Sequence, residues 1–108
     1  MKLQITEVLL LEEHGAVSLA ELAELSRWSE DELMELMDHG VIAPTDPRAP
    51  RPTFAAQCIV TARTAYRLRD DFELNVQGVA VALALLERID ALEAQMRDLL
   101  AQHPRRLR

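Results

Sequence analysis

The side chains able to do covalent or metal chemistry in this 108-residue chain are few and scattered: Cys58, His14, His39 and His103. No two of them share i, i+4 spacing on one predicted helix, and a metal centre needs about three convergent ligands. A lone cysteine behaves as a small apolar residue. It forms no disulfide framework and fits a reducing cytoplasm. Only Gly15, Gly40 and Gly78 are present, so there is no glycine-rich phosphate loop. No Ser or Cys nucleophile has a base in reach by local spacing. The reading is a non-enzymatic protein with no metal and no cofactor.

Charge is what remains, and it is grouped. Glu30, Asp31, Glu32, Glu35 and Asp38 fall within nine residues, with no basic residue among them before His39. Arg63, Arg67 and Arg69 fall within seven, followed at once by Asp70 and Asp71. Each group has two readings. The acids form either a solvated helix face that complements the helix dipole or a dock for a basic surface. The arginines either pair within the domain or meet acidic groups of a partner; isolated surface pairs add only about 0–1 kcal/mol.

Residues 1–47 hold eleven acidic residues against Lys2 and Arg27, a net −9. The whole chain is −6, which leaves +3 for residues 48–108. Nucleic-acid affinity depends on cations that neutralise phosphates, so direct nucleic-acid binding by the first half is not expected. The opening run MKLQITEVLLLEE lacks a signal-peptide cleavage site and is too short to span a bilayer. A cytoplasmic protein with no membrane contact is expected.

The elements that must position these charges can be read from caps and periodicity. Residues 3–11 suggest a short strand, with helix as the alternative. Ser18 with Glu21, and Ser29 with Glu32, are two capping boxes. They open helices over about 19–26 and 30–39, separated by a turn at Ser26–Trp28. Leu33, Leu36 and Met37 face inward on the second helix, and Gly40 stands where a left-handed C-terminal cap is wanted. Trp28 either packs against the third helix or anchors an interface.

The proline-rich stretch 44–52, carrying Arg48 and Arg51, occupies the position of a wing. A third helix is predicted over 54–72, with Ile59, Ala62, Ala65, Tyr66 and either Leu68 or Phe72 inward. Leu74 and Asn75 break the chain, with Asn75 as N-cap. A last helix is predicted over 76–102. In it Gly78, Ala82, Leu85, Ile89, Leu92, Met96 and Leu99 repeat at alternating spacings of four and three, the seam of a coiled coil. A second stripe, Val79, Leu83 and Leu86, suits packing on the domain. A homodimer through Leu85, Ile89, Leu92, Met96 and Leu99 is expected, its helix polarity open.

This order of capped helix, turn, second helix closing in Gly-apolar-apolar-x-Pro, wing, Arg-rich helix and coiled-coil helix resembles the MerR family. Within it, the chain resembles the non-DNA-binding chaperone modulators of the CbpM family. Ser29, Glu30, Glu32, Leu33, Glu35, Gly40, Val41 and Pro44 carry the likeness in the first half. Arg63, Ala65, Arg67, Leu68, Arg69, Leu74, Gly78, Ala80 to Leu83 and Ile89 carry it in the second. The likeness spans about residues 17–102; the proline-rich wing and residues 1–16 stand outside its pattern. Where a MerR DNA reader has an Arg-Tyr-Tyr-Glu-like run, this chain has Met34, Glu35, Leu36 and Met37.

The resemblance implies a mainly α fold. It would be a winged helix-turn-helix with a small β wing and N-terminal strand over 1–74, a dimerisation helix over 75–103 and a frayed tail at 104–108. It implies binding to the J-domain of a CbpA-like co-chaperone, which blocks that co-chaperone's stimulation of a DnaK-type chaperone. The residues it points to are Arg63, Arg67, Arg69, Asp70 and Asp71 first, then Glu30, Asp31 and Glu35. The alternative is a MerR-type DNA-binding transcriptional regulator.

Overall fold

The computed structural model describes residues 15–102. It contains a short strand β1 (Val17–Ser18), helices α1 (Leu19–Ser26) and α2 (Glu30–Asp38), and a second strand β2 (Thr53–Phe54). Helices α3 (Gln57–Phe72) and α4 (Val76–Gln102) follow. This is a mainly helical helix-turn-helix arrangement with a small sheet and a long last helix. The strand predicted over 3–11 and the tail from His103 lie outside the described residues.

Both capping boxes form. Ser18 Oγ accepts from the Glu21 N–H at 3.1 Å and Glu21 returns a carboxylate oxygen to the Ser18 N–H at 3.2 Å. Ser29 and Glu32 repeat the exchange at 3.1 and 3.0 Å. Each box satisfies two backbone groups that a helix start leaves unpaired, which is why both helices begin where the Ser-x-x-Glu pattern says. Between them only Arg27, Trp28 and Ser29 intervene. Arg27 takes a left-handed conformation, φ 69°, and its N–H reaches the Ala23 carbonyl at 3.0 Å.

α2 ends at the predicted glycine. Gly40 has φ 75°, its N–H bonds the Met37 carbonyl at 3.0 Å, and the Val41 N–H bonds Leu36 at 2.9 Å. This is a Schellman closure. A Cβ placed on Gly40 would meet nothing within 4 Å, so glycine is required there by backbone conformation and not by space. The chain then buries Ile42 in the core, without forming a strand there.

The proline-rich loop is pinned at its base. The Thr45 N–H donates to the Thr53 carbonyl at 2.8 Å, and the two threonine hydroxyls lie 2.8 Å apart. Phe54 pairs antiparallel with Val17, and Thr53 with Ser18. That pairing corrects the predicted start of α3: Phe54 belongs to the sheet and is buried, and the helix begins three residues later at Gln57.

α3 packs against α1 and α4, and α2 against α1 and α4. The core they enclose holds Trp28, Phe54, Leu22, Leu33, Leu36 and Ile59 with Val79 and Leu83 of α4. Val60 is buried as well, a position the helical periodicity did not assign. Leu68, not Phe72, is the residue turned toward the core.

α4 has two parts. Asn75 caps it, its side-chain oxygen accepting the Gly78 N–H at 2.8 Å. Val79 and Leu83 bury the first turns in the domain, whereas every residue from Ala84 to Gln102 is exposed except half-buried Ala94. At about 1.5 Å per residue that exposed arm runs about 28 Å, and the described chain extends 55 Å along its longest axis. Among the described residues no helix is long and apolar enough to cross a membrane.

Candidate protein-docking surface

The two charge groups meet at one seam and diverge everywhere else. Trp28, in the turn before α2, is buried against α3, with its indole N–H donating to the Ala62 carbonyl at 2.8 Å. Its ring stands edge-on to Tyr66, centroids 5.9 Å apart and planes at 87°. This is the core-packing role; Trp28 is not an exposed anchor.

Arg69 lies across that aromatic pair. Its guanidinium carbon is 4.3 Å from the Trp28 ring centroid and 4.8 Å from the Tyr66 ring. Such stacking adds about 0.5–2 kcal/mol, more as the cation loses water. One guanidinium nitrogen bonds Glu32 Oε2 at 2.5 Å. Glu32 thus divides its carboxylate, one oxygen closing the α2 capping box and the other holding α3. The backbone N–H of Ser29 foremost holds the Glu32 carboxyl below its ordinary 4.5; burial, next in size, opposes it, and the Ser29 hydroxyl and the Arg69 charge each add a lesser lowering.

Arg63 also works inward. Its Nε donates to the Leu25 carbonyl at 2.9 Å, a cation at the negative end of α1, where the helix dipole favours it. For Arg69, then, the intradomain alternative is what the geometry presents, with Glu32 as the acidic partner. Arg63 has a carbonyl partner instead, and its side chain is half-buried.

Arg67, Asp70 and Asp71 are exposed. With Arg63 they stand at i, i+4, i+7 and i+8, the spacing that puts residues on one helix face. The Arg67 guanidinium is 3.4 Å from the Thr64 hydroxyl. On α2, Glu30, Asp31, Glu35 and Asp38 all face solvent. The structure therefore presents an acidic α2 exterior and a mixed-charge α3 stripe, and places Arg69 and Glu32 in the seam between the helices.

Two side chains at these surfaces were not singled out by charge. Met34, 50 % exposed, sits among the α2 acids, with Glu30, Asp31 and Asp38 at i−4, i−3 and i+4 from it. Phe72, 67 % exposed, ends α3. The signal that could have found Met34 is its failure to fit the apolar stripe of α2; Phe72 does fit the stripe of α3, seven residues after Ala65, and only its place at the helix end sets it apart. On α4, Leu85, Ile89, Leu92, Met96 and Leu99 form a continuous exposed stripe, joined by Val81, Leu86 and Leu100.

Cys58 is half-buried, its Sγ 3.7 Å from the Ala43 carbonyl, and burial pushes the thiol's pKa up, away from thiolate. Among the described residues no three His, Cys, Asp or Glu side chains group as metal ligands.

Comparison with known proteins fits this arrangement. Residues 17–100 match the model of the MerR HTH family regulatory protein family. The chain is 28 % identical over 99 residues to the chaperone modulatory protein CbpM of Coxiella burnetii strain Dugway 5J108-111, covering 92 % of this chain and 93 % of that one. It is 35 % identical over 72 residues to the chaperone modulatory protein CbpM of Citrobacter koseri, covering 67 % of this chain and 71 % of the relative. The namesake of Salmonella arizonae is 36 % identical over the same shares. The family model and the relatives all carry regulatory names.

Proposed function

The chain belongs to the MerR helix-turn-helix family and, within it, to the CbpM chaperone modulatory proteins; from that premise we propose that it binds the J-domain of a CbpA-like co-chaperone. With the J-domain covered, stimulation of a DnaK-type chaperone is blocked by occlusion. The observation that carries this reading is the exterior of α2. In the position where a DNA reader shows cations to phosphates, it shows Glu30, Asp31, Glu35 and Asp38. That surface repels a nucleic acid and attracts a basic protein helix, such as the one a J-domain presents to its chaperone. Arg67 and the outer part of Arg63 are suited to an acidic group of the same partner. Asp70 and Asp71 belong to the same face, and the complex forms in the cytoplasm, where the partner works.

Titration of the purified chain against a purified J-domain tests this. Saturable binding that weakens with salt is expected, since steering by exposed charges is screened. No binding at tens of micromolar would sink the reading.

The exposed α4 stripe supports a homodimer. Leu92 and Met96 sit in the part of the helix that the protomer leaves uncovered, and a long apolar seam of this kind pairs with another helix. Leu92→Asp puts an unpaired charge in that seam and should yield monomers in sedimentation; an unchanged sedimentation coefficient would count against the assignment.

The second reading is a DNA-binding regulator, favoured by the intact helix-turn-helix geometry and by Arg48 and Arg51 on the exposed wing. It requires a retained DNA probe at low salt and a steep loss of binding as salt rises.

A further inference from the structure

The last turn of α3 breaks three local rules at once. Asp70 and Asp71 lie at the C-terminal end of the helix, where the negative end of the dipole disfavours carboxylates. Glu21 of α1 and Glu30, Asp31 and Glu32 of α2, by contrast, sit in first turns, where the dipole welcomes them, and α2 ends on the single acid Asp38. Glu73, just past the end, holds φ 53° without being glycine, a conformation that costs a residue with a Cβ. Phe72 leaves most of its ring in water, although Leu68 one turn earlier packs on the core. Asp70, Asp71, Phe72 and Glu73 are consecutive and all exposed, so the turn protrudes as a unit. Helix stability and core packing select none of these residues, and a concentration of locally disfavoured choices is what a functional site produces.

We propose that this protruding turn is the specificity-determining knob of the complex: Phe72 inserts into an apolar pocket of the partner, and Asp70, Asp71 and Glu73 pair with the lysines or arginines around it. The inference rests on the J-domain reading and names the contact that decides it. Charge complementarity fixes the chemistry of the partner. Three carboxylates around one ring match a basic helix with an apolar gap, and they repel an acidic surface. Position supports it as well. Arg69 joins α3 to α2 through Glu32, and Phe72 and Glu35 each stand three residues further along their helices. Each is thus about one helical turn from the Arg69–Glu32 ion pair. An aromatic anchor within a charged rim is the usual composition of an interface hot spot.

The test is calorimetric titration of the purified J-domain into the full chain and into Phe72→Ala, Phe72→Leu and Met34→Ala. Phe72→Ala should lose about tenfold or more in affinity with a melting temperature within about 2 °C of the parent, since the ring supports no core. Phe72→Leu should retain part of the affinity, and Met34→Ala nearly all of it. If the parent binds and Phe72→Ala binds equally well, the knob is wrong while the J-domain reading stands. If Met34→Ala carries the loss instead, the anchor lies on α2 and the proposal is overturned. A change in the chain's own sedimentation on Phe72→Ala would make the ring a self-association contact and overturn it too. Absence of binding by the parent removes both readings.

Discussion

Glu32 and Glu35 are one turn apart on α2, and Arg69 and Asp70 are neighbours on α3, yet they belong to different regions. Glu32 and Arg69 lie in the seam between the helices, tied to each other, to a capping box and to two aromatic rings. Glu35 and Asp70 lie on the exteriors of the same helices, facing water. The seam fixes how α2 is presented; the exteriors supply what is presented. Residue type alone does not divide the two regions, because both are built from Glu, Asp and Arg. The division comes from which charges find partners inside the fold.

Substitutions can separate the regions, and the seam should respond most strongly in stability. Trp28→Ala removes the largest buried ring and leaves the Ala62 carbonyl without its indole donor. It should cost about 3–5 kcal/mol, read as a large drop in the urea midpoint; a shift below about 1 kcal/mol would show that the seam is not structural. Arg69→Met keeps an apolar stem but deletes the cation–π stack and the ion pair with Glu32. With the Arg69 side chain 29 % exposed, solvent screening limits the expected loss to about 1–2 kcal/mol.

Acid should weaken the same seam. The folded-state pKa of Glu32 is depressed, so its contribution is present above its ordinary value of 4.5 and is lost as pH falls through the lowered one. The parent should therefore lose stability on acidification below about pH 4.5 more steeply than Glu32→Gln. Parallel pH profiles would remove Glu32 from the account. A smaller effect of opposite sign is expected at Arg27→Gly, where the left-handed turn before Trp28 is relieved. Thermal melts should show a gain of about 0.5–1 kcal/mol.

Much of the seam's scaffold was legible in the sequence because it is local. The Ser-x-x-Glu boxes, Gly40 and Asn75 act within four residues of themselves, and α1, α2 and α4 begin and end within a residue of the predicted bounds. Of the stripe Val79, Leu83 and Leu86, the first two met the domain as the spacing implied, whereas Leu86 is exposed, because the helix has left the domain by that turn. The rest depended on contacts distant in sequence. Phe54 read as helix because its strand partner, Val17, lies far upstream. Which intradomain partners the arginines take was not legible either, because Glu32 is 37 residues from Arg69 and Leu25 is 38 from Arg63. Phe72 read as a possible core residue because periodicity cannot tell where a helix leaves the body of a protein.

The exteriors should respond in binding and hardly at all in stability. The most direct test of the central claim is the affinity of the full chain for a purified J-domain, compared between the parent and a Glu30→Lys, Asp31→Lys, Glu35→Lys variant. The account predicts saturable binding by the parent, loss of binding by the variant, and retained folding, because exposed substitutions typically change stability by less than about 0.5 kcal/mol each. Equal binding by the two chains, or none by the parent, would contradict it.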